Sequence, residues 1–316
     1  MRNAATDPRN LSKLSSSEPC NVGKILSRRV ANGAFALRIE SMRTCLKLAV
    51  GASLIGACIT AAFAQTPVVA SGGILNAASF ATNQGVAPGS LVSIFGTNLA
   101  SRLAQADSIP LSTSLGNVSV TIGNIPAPLL FVYHNSVNGD QINAQVPFEI
   151  PDGNAQVVVI LGGNASAPVS VSVISEAPGI FTVASGVGQA IAYGNSDGQI
   201  AAPPGSIPGL TTHPAAIGDP TTLVILATGL GAVNPPVTTG SAVTDGQIHP
   251  TVVNPTVLVG GVPAQLVFSG IQPQFPGVYQ LNIIIAPGTP TGDAVPLQLV
   301  MNGITTTDKA TIAVTN

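Results

Sequence analysis

The chain has 316 residues, of which 45% are hydrophobic and 8% charged, with 34 Gly, 26 Pro, 3 Cys and no Trp. That composition excludes disorder by excess charge and supplies apolar material for two ordinary domains. Nine of the eleven Lys and Arg residues lie in the first 47 positions, leaving only Arg102 and Lys309 beyond. No basic patch is left to track a phosphate backbone, so nucleic acid is not an expected partner.

Residues 1–41 are polar, basic and without periodicity, and Met42 is an alternative start to Met1. This stretch is expected to be a mis-assigned or disordered extension. From Met42 the chain carries Arg43 and Lys47, then apolar or small residues from Leu48 to Thr60, then Ala62-Phe63-Ala64 before Gln65. That order is a signal peptide over 42–64, cleaved near Ala64. Its apolar stretch is shorter than the roughly 20 residues a membrane-spanning helix needs, so the membrane is met only during export. A looser frame, Ile55-Gly56-Ala57-Cys58, would place a lipid on Cys58, but apolar residues continue past it. The expected destination is the periplasm, the cell surface or the medium. Cys20, Cys45 and Cys58 all lie in or before the leader, so the exported part holds no disulfide. After Ala64 two basic residues face ten acidic ones, a formal net charge of −8 (2 − 10). Ser, Thr, Asn and Gln must therefore supply most of the hydrogen-bonding surface.

Short β-branched and aliphatic runs then recur between Gly, Pro and Asn clusters. They fall at 91–95, 118–122, 129–133, 156–161, 169–174, 223–226, 256–259, 266–268, 279–285, 297–301 and 310–314. Alternation is plain in Val118-Ser-Val-Thr-Ile122 and Val169-Ser-Val-Ser-Val173, where every second side chain is apolar. Helical periodicity is absent after Gln65. The expected fold is all-β.

Two copies of one unit are visible. Asn117-Val-Ser-Val-Thr-Ile-Gly-Asn-Ile-Pro-Ala-Pro-Leu-Leu-Phe131 aligns without gaps to Asn254-Pro-Thr-Val-Leu-Val-Gly-Gly-Val-Pro-Ala-Gln-Leu-Val-Phe268. Val92 to Leu99 matches Leu223 to Leu230, and Gln141-Ile-Asn143 matches Gln280-Leu-Asn282. The spacing predicts tandem sandwiches over 71–175 and 176–316, joined by a short linker near Glu176 to Gly179 that favours a semi-rigid arrangement. The longest loop falls at Ala201 to Asp219 and contains His213. Gly123-Asn124 and Gly260-Gly261 suit two-residue hairpin turns, with Pro126 and Pro263 limiting the return strands.

Asn76-Ala-Ala-Ser-Phe80, Val86 to Leu99, Ala227-Thr-Gly-Leu-Gly231, Gly261 to Ala264 and Gly277-Val-Tyr-Gln-Leu-Asn282 resemble the Solibacter-type uncharacterised C-terminal domain family. The element Gly96-Thr-Asn-Leu99 is also similar to the strand-turn signature of IPT/TIG domains. The resemblance implies two tandem early-set immunoglobulin-like β-sandwiches after the leader, in a secreted bacterial protein with no established catalytic residues. It departs from the pattern at Ile225-Leu226, where an aromatic is frequent, and in lacking a large N-terminal partner module.

Chemistry has few carriers. His134, His213 and His249 are far apart in sequence, in no metal-binding frame, and read as solvated loop residues. Glu149 and Glu176, the only glutamates after Ala64, read as surface positions. Asn195-Ser-Asp197-Gly198 and Asp245-Gly246 read as turns, since the acidic ladder of a calcium loop is missing. No metal, cofactor or catalytic residue is expected. Tyr279 reads as core; the candidate ligand contacts are Tyr133, His134 and Asn135 at one strand end and Tyr193 and Asn195 near a loop. The expected function is a non-catalytic module contacting an extracellular protein or polysaccharide, with glycan binding as the alternative and a hydrolase of unrecognised site behind both.

Overall fold

The computed structural model describes residues 66–307 and 309–316. The extension over 1–41, the leader over 42–64 and Cys58 lie outside the described residues. Among the described residues every regular element is a strand, and no helix is long and apolar enough to cross a membrane.

The first sandwich is built from β1 (Val68–Asn76), β2 (Leu91–Thr97), β3 (Val118–Ile122), β4 (Leu129–Tyr133), β5 (Asp140–Gln145), β6 (Gly153–Leu161) and β7 (Val169–Val173). One sheet runs β1-β2-β5-β4; in the other, β6 lies between β3 and β7. The second sandwich uses β8 (Leu223–Thr228), β9 (Thr256–Val259), β10 (Gln265–Ile271), β11 (Tyr279–Ile284), β12 (Gly292–Met301) and β13 (Lys309–Thr315). Its sheets run β8-β11-β10 and β9-β12-β13. The order β2-β5-β4 is thus repeated as β8-β11-β10, and β3-β6-β7 as β9-β12-β13.

Alternation fixes which side chains enter each core. In β3, Val118, Val120 and Ile122 are buried and the residues between them are half-buried. They pack with Val92, Ile94, Leu129, Ile142, Val157 and Val159. In the second core Ile225, Val257, Val259, Leu281, Ile283, Leu297 and Ile312 take the equivalent places. Each such side chain contributes about 1.5–3 kcal/mol of burial.

The copies share irregularities as well as strands. Register shifts between Leu129 and Phe131 in β4, and between Leu266 and Phe268 in β10, at the aligned positions. Gly123 (φ 59°) and Asn124 (φ 66°) form one hairpin turn, and Gly260 (φ 59°) and Gly261 (φ 80°) form the other. Two successive positive φ values give the turn whose twist matches the flanking strands.

The structure adds strands that the residue pattern hides. β1 starts at Val68, and its pairing with β2 shifts between Val69 and Ile74, around Gly72-Gly73. The long loop at 201–219 contains the two-residue strands Thr212–His213 and Ala215–Ala216, the second pairing with the end of β13.

Between the sandwiches the contact is dense. Thr228 Oγ1 accepts from Leu91 N at 2.8 Å and donates to Gly277 O at 2.7 Å. Gln145 receives Gly240 N at 2.7 Å and donates to Gly89 O at 3.2 Å. Asn76 Nδ2 donates to Ala177 O at 2.8 Å in the connection. The Gly229-Leu-Gly231 run belongs here: a Cβ on Gly229 would overlap Ala177 O, and one on Gly231 would lie 2.6 Å from Ser175 O.

The hairpin geometry makes a graded prediction. Gly261→Ala, with open space around it, pays only the cost of a left-handed backbone, roughly 1–2 kcal/mol. Gly260→Ala also overlaps the Pro290 ring, and its loss in urea unfolding is expected to be clearly the larger of the two.

Candidate ligand-contact site

The first residue of β5 organises one end of the first sandwich. Asp140 is 2% exposed, and its carboxylate is shared among loops remote in sequence. Oδ2 accepts from Leu99 N at 2.7 Å and Ala100 N at 3.3 Å. Oδ1 accepts from Asn135 N at 2.9 Å and meets His134 Nδ1 at 2.8 Å. Because a carboxylate oxygen is an acceptor, this bond places the proton of His134 on Nδ1 and leaves Nε2 as the outward nitrogen. Asn135 Oδ1 then accepts from Val137 N and Asn138 N at 2.9 and 3.0 Å, closing the turn beyond.

Beside this network lies a cleft of about 540 Å³ lined by Asn98, Ser101, Asn117, His134, Leu161 and Asn164 among others. Tyr133 is on the outer face of the adjoining sheet, stacked on Phe131 with centroids 6.0 Å apart and planes at 23°. Asn135 Nδ2 reaches the Tyr133 hydroxyl at 3.4 Å. The expected trio Tyr133, His134 and Asn135 is therefore one connected group. Only His134 of the three lines the cleft.

Tyr193 and Asn195 stand elsewhere. Tyr193 lies in the short strand Ala192–Gly194, opposite Val224 and Ile200. Asn195 N donates to Thr222 O at 3.0 Å, just before β8. β8 starts there and ends at the junction with Thr228, whereas β2 starts at the junction and ends beside Asn98, so the two candidate groups occupy opposite ends of the tandem. Near Asn195 a cavity of about 50 Å³ is lined by Asp197, His213, Asp219 and Thr222, room for water rather than for an organic ligand. The Thr221 N–H and hydroxyl, both 2.8 Å from Asp219 Oδ1, hold the Asp219 carboxyl below its ordinary range.

Two expectations need correction, those for His249 and Glu176. His249 is not a solvated loop residue: it is 4% exposed, with Nδ1 2.7 Å from Pro235 O and Nε2 3.0 Å from Asp245 Oδ2. The ring is flanked by polar partners on both sides, which is what makes its burial tolerable. His134 and His213 are partly exposed, but each is likewise tied to an aspartate, Asp140 and Asp197, at 2.8 and 2.7 Å. Glu176 is also buried, 8% exposed, and accepts from Asn302 Nδ2 at 2.8 Å. Glu149 is exposed and accepts from Thr239 Oγ1 at 2.8 Å. Among the described residues no three His, Cys, Asp or Glu side chains converge as a metal site.

The residues missed in the sequence are Asp140, Asn98, Asn117 and Asn164. One signal was present for Asp140: it is an acidic residue at the repeat position where the other copy has the core residue Tyr279.

Together the sheets define a tandem of immunoglobulin-like β-sandwiches. Within it residues 79–174, less than half of the chain, match the IPT/TIG domain, and the fold is IPT/TIG-like. No curated protein matches the chain. Among solved structures, the extracellular region of plexin A4 aligns over 79% of this chain and 18% of its own, with 9% identity and a TM-score of 0.22. Domains 5–6 of the S-layer protein SbsC align over 79% of this chain and 99% of theirs, with 10% identity and a TM-score of 0.26. SGBP-B of the Bacteroides ovatus mixed-linkage glucan utilization locus, in complex with a mixed-linkage heptasaccharide, aligns over 72% of this chain and 42% of its own, with 12% identity and a TM-score of 0.27.

Two outcomes follow from the hydrogen bonds. Asp140→Asn replaces one acceptor oxygen by a donor facing other donors, and is expected to cost about 3 kcal/mol in chemical unfolding. The Gln247 N–H, foremost, and the His249 ring hold the Asp245 carboxyl below its ordinary value of 3.8. Asp219 is lowered in the same direction. A depressed folded-state value contributes stability that is complete above the unfolded value and is lost as pH falls through the folded one. The midpoint of thermal unfolding is therefore expected to drop below about pH 4, and to drop less steeply in Asp245→Asn.

Proposed function

We propose that the chain is an exported, non-catalytic module of the Solibacter-type C-terminal domain class, acting by contact with an extracellular protein or polysaccharide. One observation carries this reading: the side chains best suited to proton transfer are spent on holding loops. Asp140 accepts four hydrogen bonds, from three backbone N–H groups in two loop segments and from the His134 ring, and His249 is enclosed between a backbone carbonyl and a carboxylate. General acid–base work needs a proton carrier within reach of a nucleophile or substrate; these groups are positioned to stiffen the surface instead. Such stiffening favours recognition, because little conformational freedom is left to lose on binding.

A glycan-binding reading is supported by a separate observation, the amide-lined cleft beside His134. Charge agrees with it, since the cleft lining includes neither a carboxylate nor a guanidinium.

The general reading is tested with the exported full-length gene product. The expected mature N-terminus by mass spectrometry is Gln65, with no turnover of glycoside, ester or peptide substrates and reproducible retention on an extracellular protein or polysaccharide. Turnover that disappears in Glu149→Gln or Asp140→Asn would overturn it.

A further inference from the structure

We propose that the cleft at the free end of the first sandwich is a binding site for a neutral sugar, with Asn98, Asn164 and His134 Nε2 meeting its hydroxyl groups. The inference rests on the contact reading above and gives it a place and a ligand class.

The first support is unused hydrogen-bonding capacity. None of the Asn98, Asn117 and Asn164 side-chain amides, nor His134 Nε2, is hydrogen-bonded to another described residue. Each amide carries two donor hydrogens and an acceptor oxygen, the mixture that matches vicinal hydroxyls, which donate and accept by turns.

The second is that the two copies differ at Asn98. Asn98 has φ 55°, and its counterpart in the other copy, Gly229, has φ 78°. Glycine adopts that conformation without strain. The first copy instead keeps an asparagine, which brings an amide to the cleft. The second copy cannot do so, because any Cβ there would overlap Ala177 O across the junction. The end that is closed in one copy is open in the other.

Third, the His134 ring and the backbone that carries the amides are held before any ligand arrives. Asp140 fixes His134, Asn117 O accepts from Gly162 N at 3.0 Å, and Asn164 pairs with Leu161 in the hairpin that lines the opposite wall. Preorganisation reduces the ordering cost of binding.

Ligand class follows from the lining. A volume of about 540 Å³ lies within the roughly 300–1,000 Å³ typical of small-ligand sites. The lining holds neither Lys nor Arg, so it offers no ammonium or guanidinium partner to an anionic sugar. A protein hot spot would call for a deep apolar or aromatic anchor pocket, whereas Leu161 and Ala100 are the apolar side chains here. Leu161 is half-buried and suits the C–H face of a pyranose ring.

The experiment is isothermal titration of the full chain with cellohexaose, mannohexaose, xylohexaose and, as the charged control, hexagalacturonate. At least one neutral hexasaccharide is expected to bind. The double variant Asn98→Gly, Asn164→Ala is expected to weaken that binding at least tenfold, with its thermal midpoint and circular dichroism unchanged, while Asn195→Ala at the opposite end leaves binding intact. His134→Gln, which keeps a polar side chain without the ring Nε2 in place, reports on the ring separately and is expected to weaken binding. The proposal is overturned if no neutral hexasaccharide binds, if the double variant binds as the parent does, or if hexagalacturonate binds equally well. Those failures leave the contact reading standing, because that reading falls only to substrate turnover or to the absence of any extracellular partner.

Discussion

The start of the central strand decides what each sandwich can do at one end. In the first copy the residue is Asp140, whose carboxylate receives the N–H groups of Leu99 and Ala100. In the second it is Tyr279, wholly buried, whose hydroxyl donates to Gly231 O; burial pushes its phenol far above its ordinary pKa. Both devices tie the loop after the preceding strand to the sheet, but with opposite polarity. A carboxylate gathers N–H donors and has capacity left for a histidine ring, so it orders a polar open end. A phenol fills apolar volume and satisfies one carbonyl, which suits an end that another domain covers.

That covered end explains why the two sandwiches sit in one compact unit. The junction is made of backbone groups reached by few side chains: Thr228 serves Leu91 N and Gly277 O, and Gln145 serves Gly240 N and Gly89 O. An unpaired backbone group buried at such a junction would cost about 1–3 kcal/mol, so a threonine and a glutamine that each satisfy two set the relative orientation as much as they strengthen it. The glycines at 229 and 231 are required by proximity: a Cβ at either would press on Ala177 O or Ser175 O.

What could be read in the sequence was whatever depends on local pattern. Val118–Ile122, Leu129–Tyr133 and Thr256–Val259 have the bounds of their apolar runs, and in Val118–Ile122 one buried face and one half-buried face write themselves into a period of two. β1 escaped because Gly72-Gly73 interrupts its apolar run, and β5 because its outer face is amide. The sites were legible only in fragments. Tyr133, His134 and Asn135 are adjacent in the chain, so a strand end could gather them. Asp140 could not be seen to reach Leu99, which is 41 positions away, and the burial of His249 depends on Pro235 and Asp245 lying on either side of its ring.

Duplication separates scaffold from specialisation within one molecule. Gln141 Nε2 to Asn143 Oδ1 and Gln280 Nε2 to Asn282 Oδ1 are the same bond, 2.8 Å in each copy, so this amide pair belongs to the fold even though it resembles ligand chemistry. The divergent pairs are Asn98 with Gly229, Tyr133 with Gly270 and Asp140 with Tyr279, and all fall at one end of the sheet, as the pairings of Tyr133 and Gly270 with Gln141 and Gln280 show. In the second copy Gly270 is pressed against His249 O and Gly229 against the linker, so space is what those positions preserve. In the first copy the same positions carry an aromatic ring, an amide and a carboxylate that orients a histidine. The junction accounts for the space kept in the second copy, since the covered end has room only for glycine and a buried phenol, while the uncovered end of the first copy can carry polar side chains at no such steric cost.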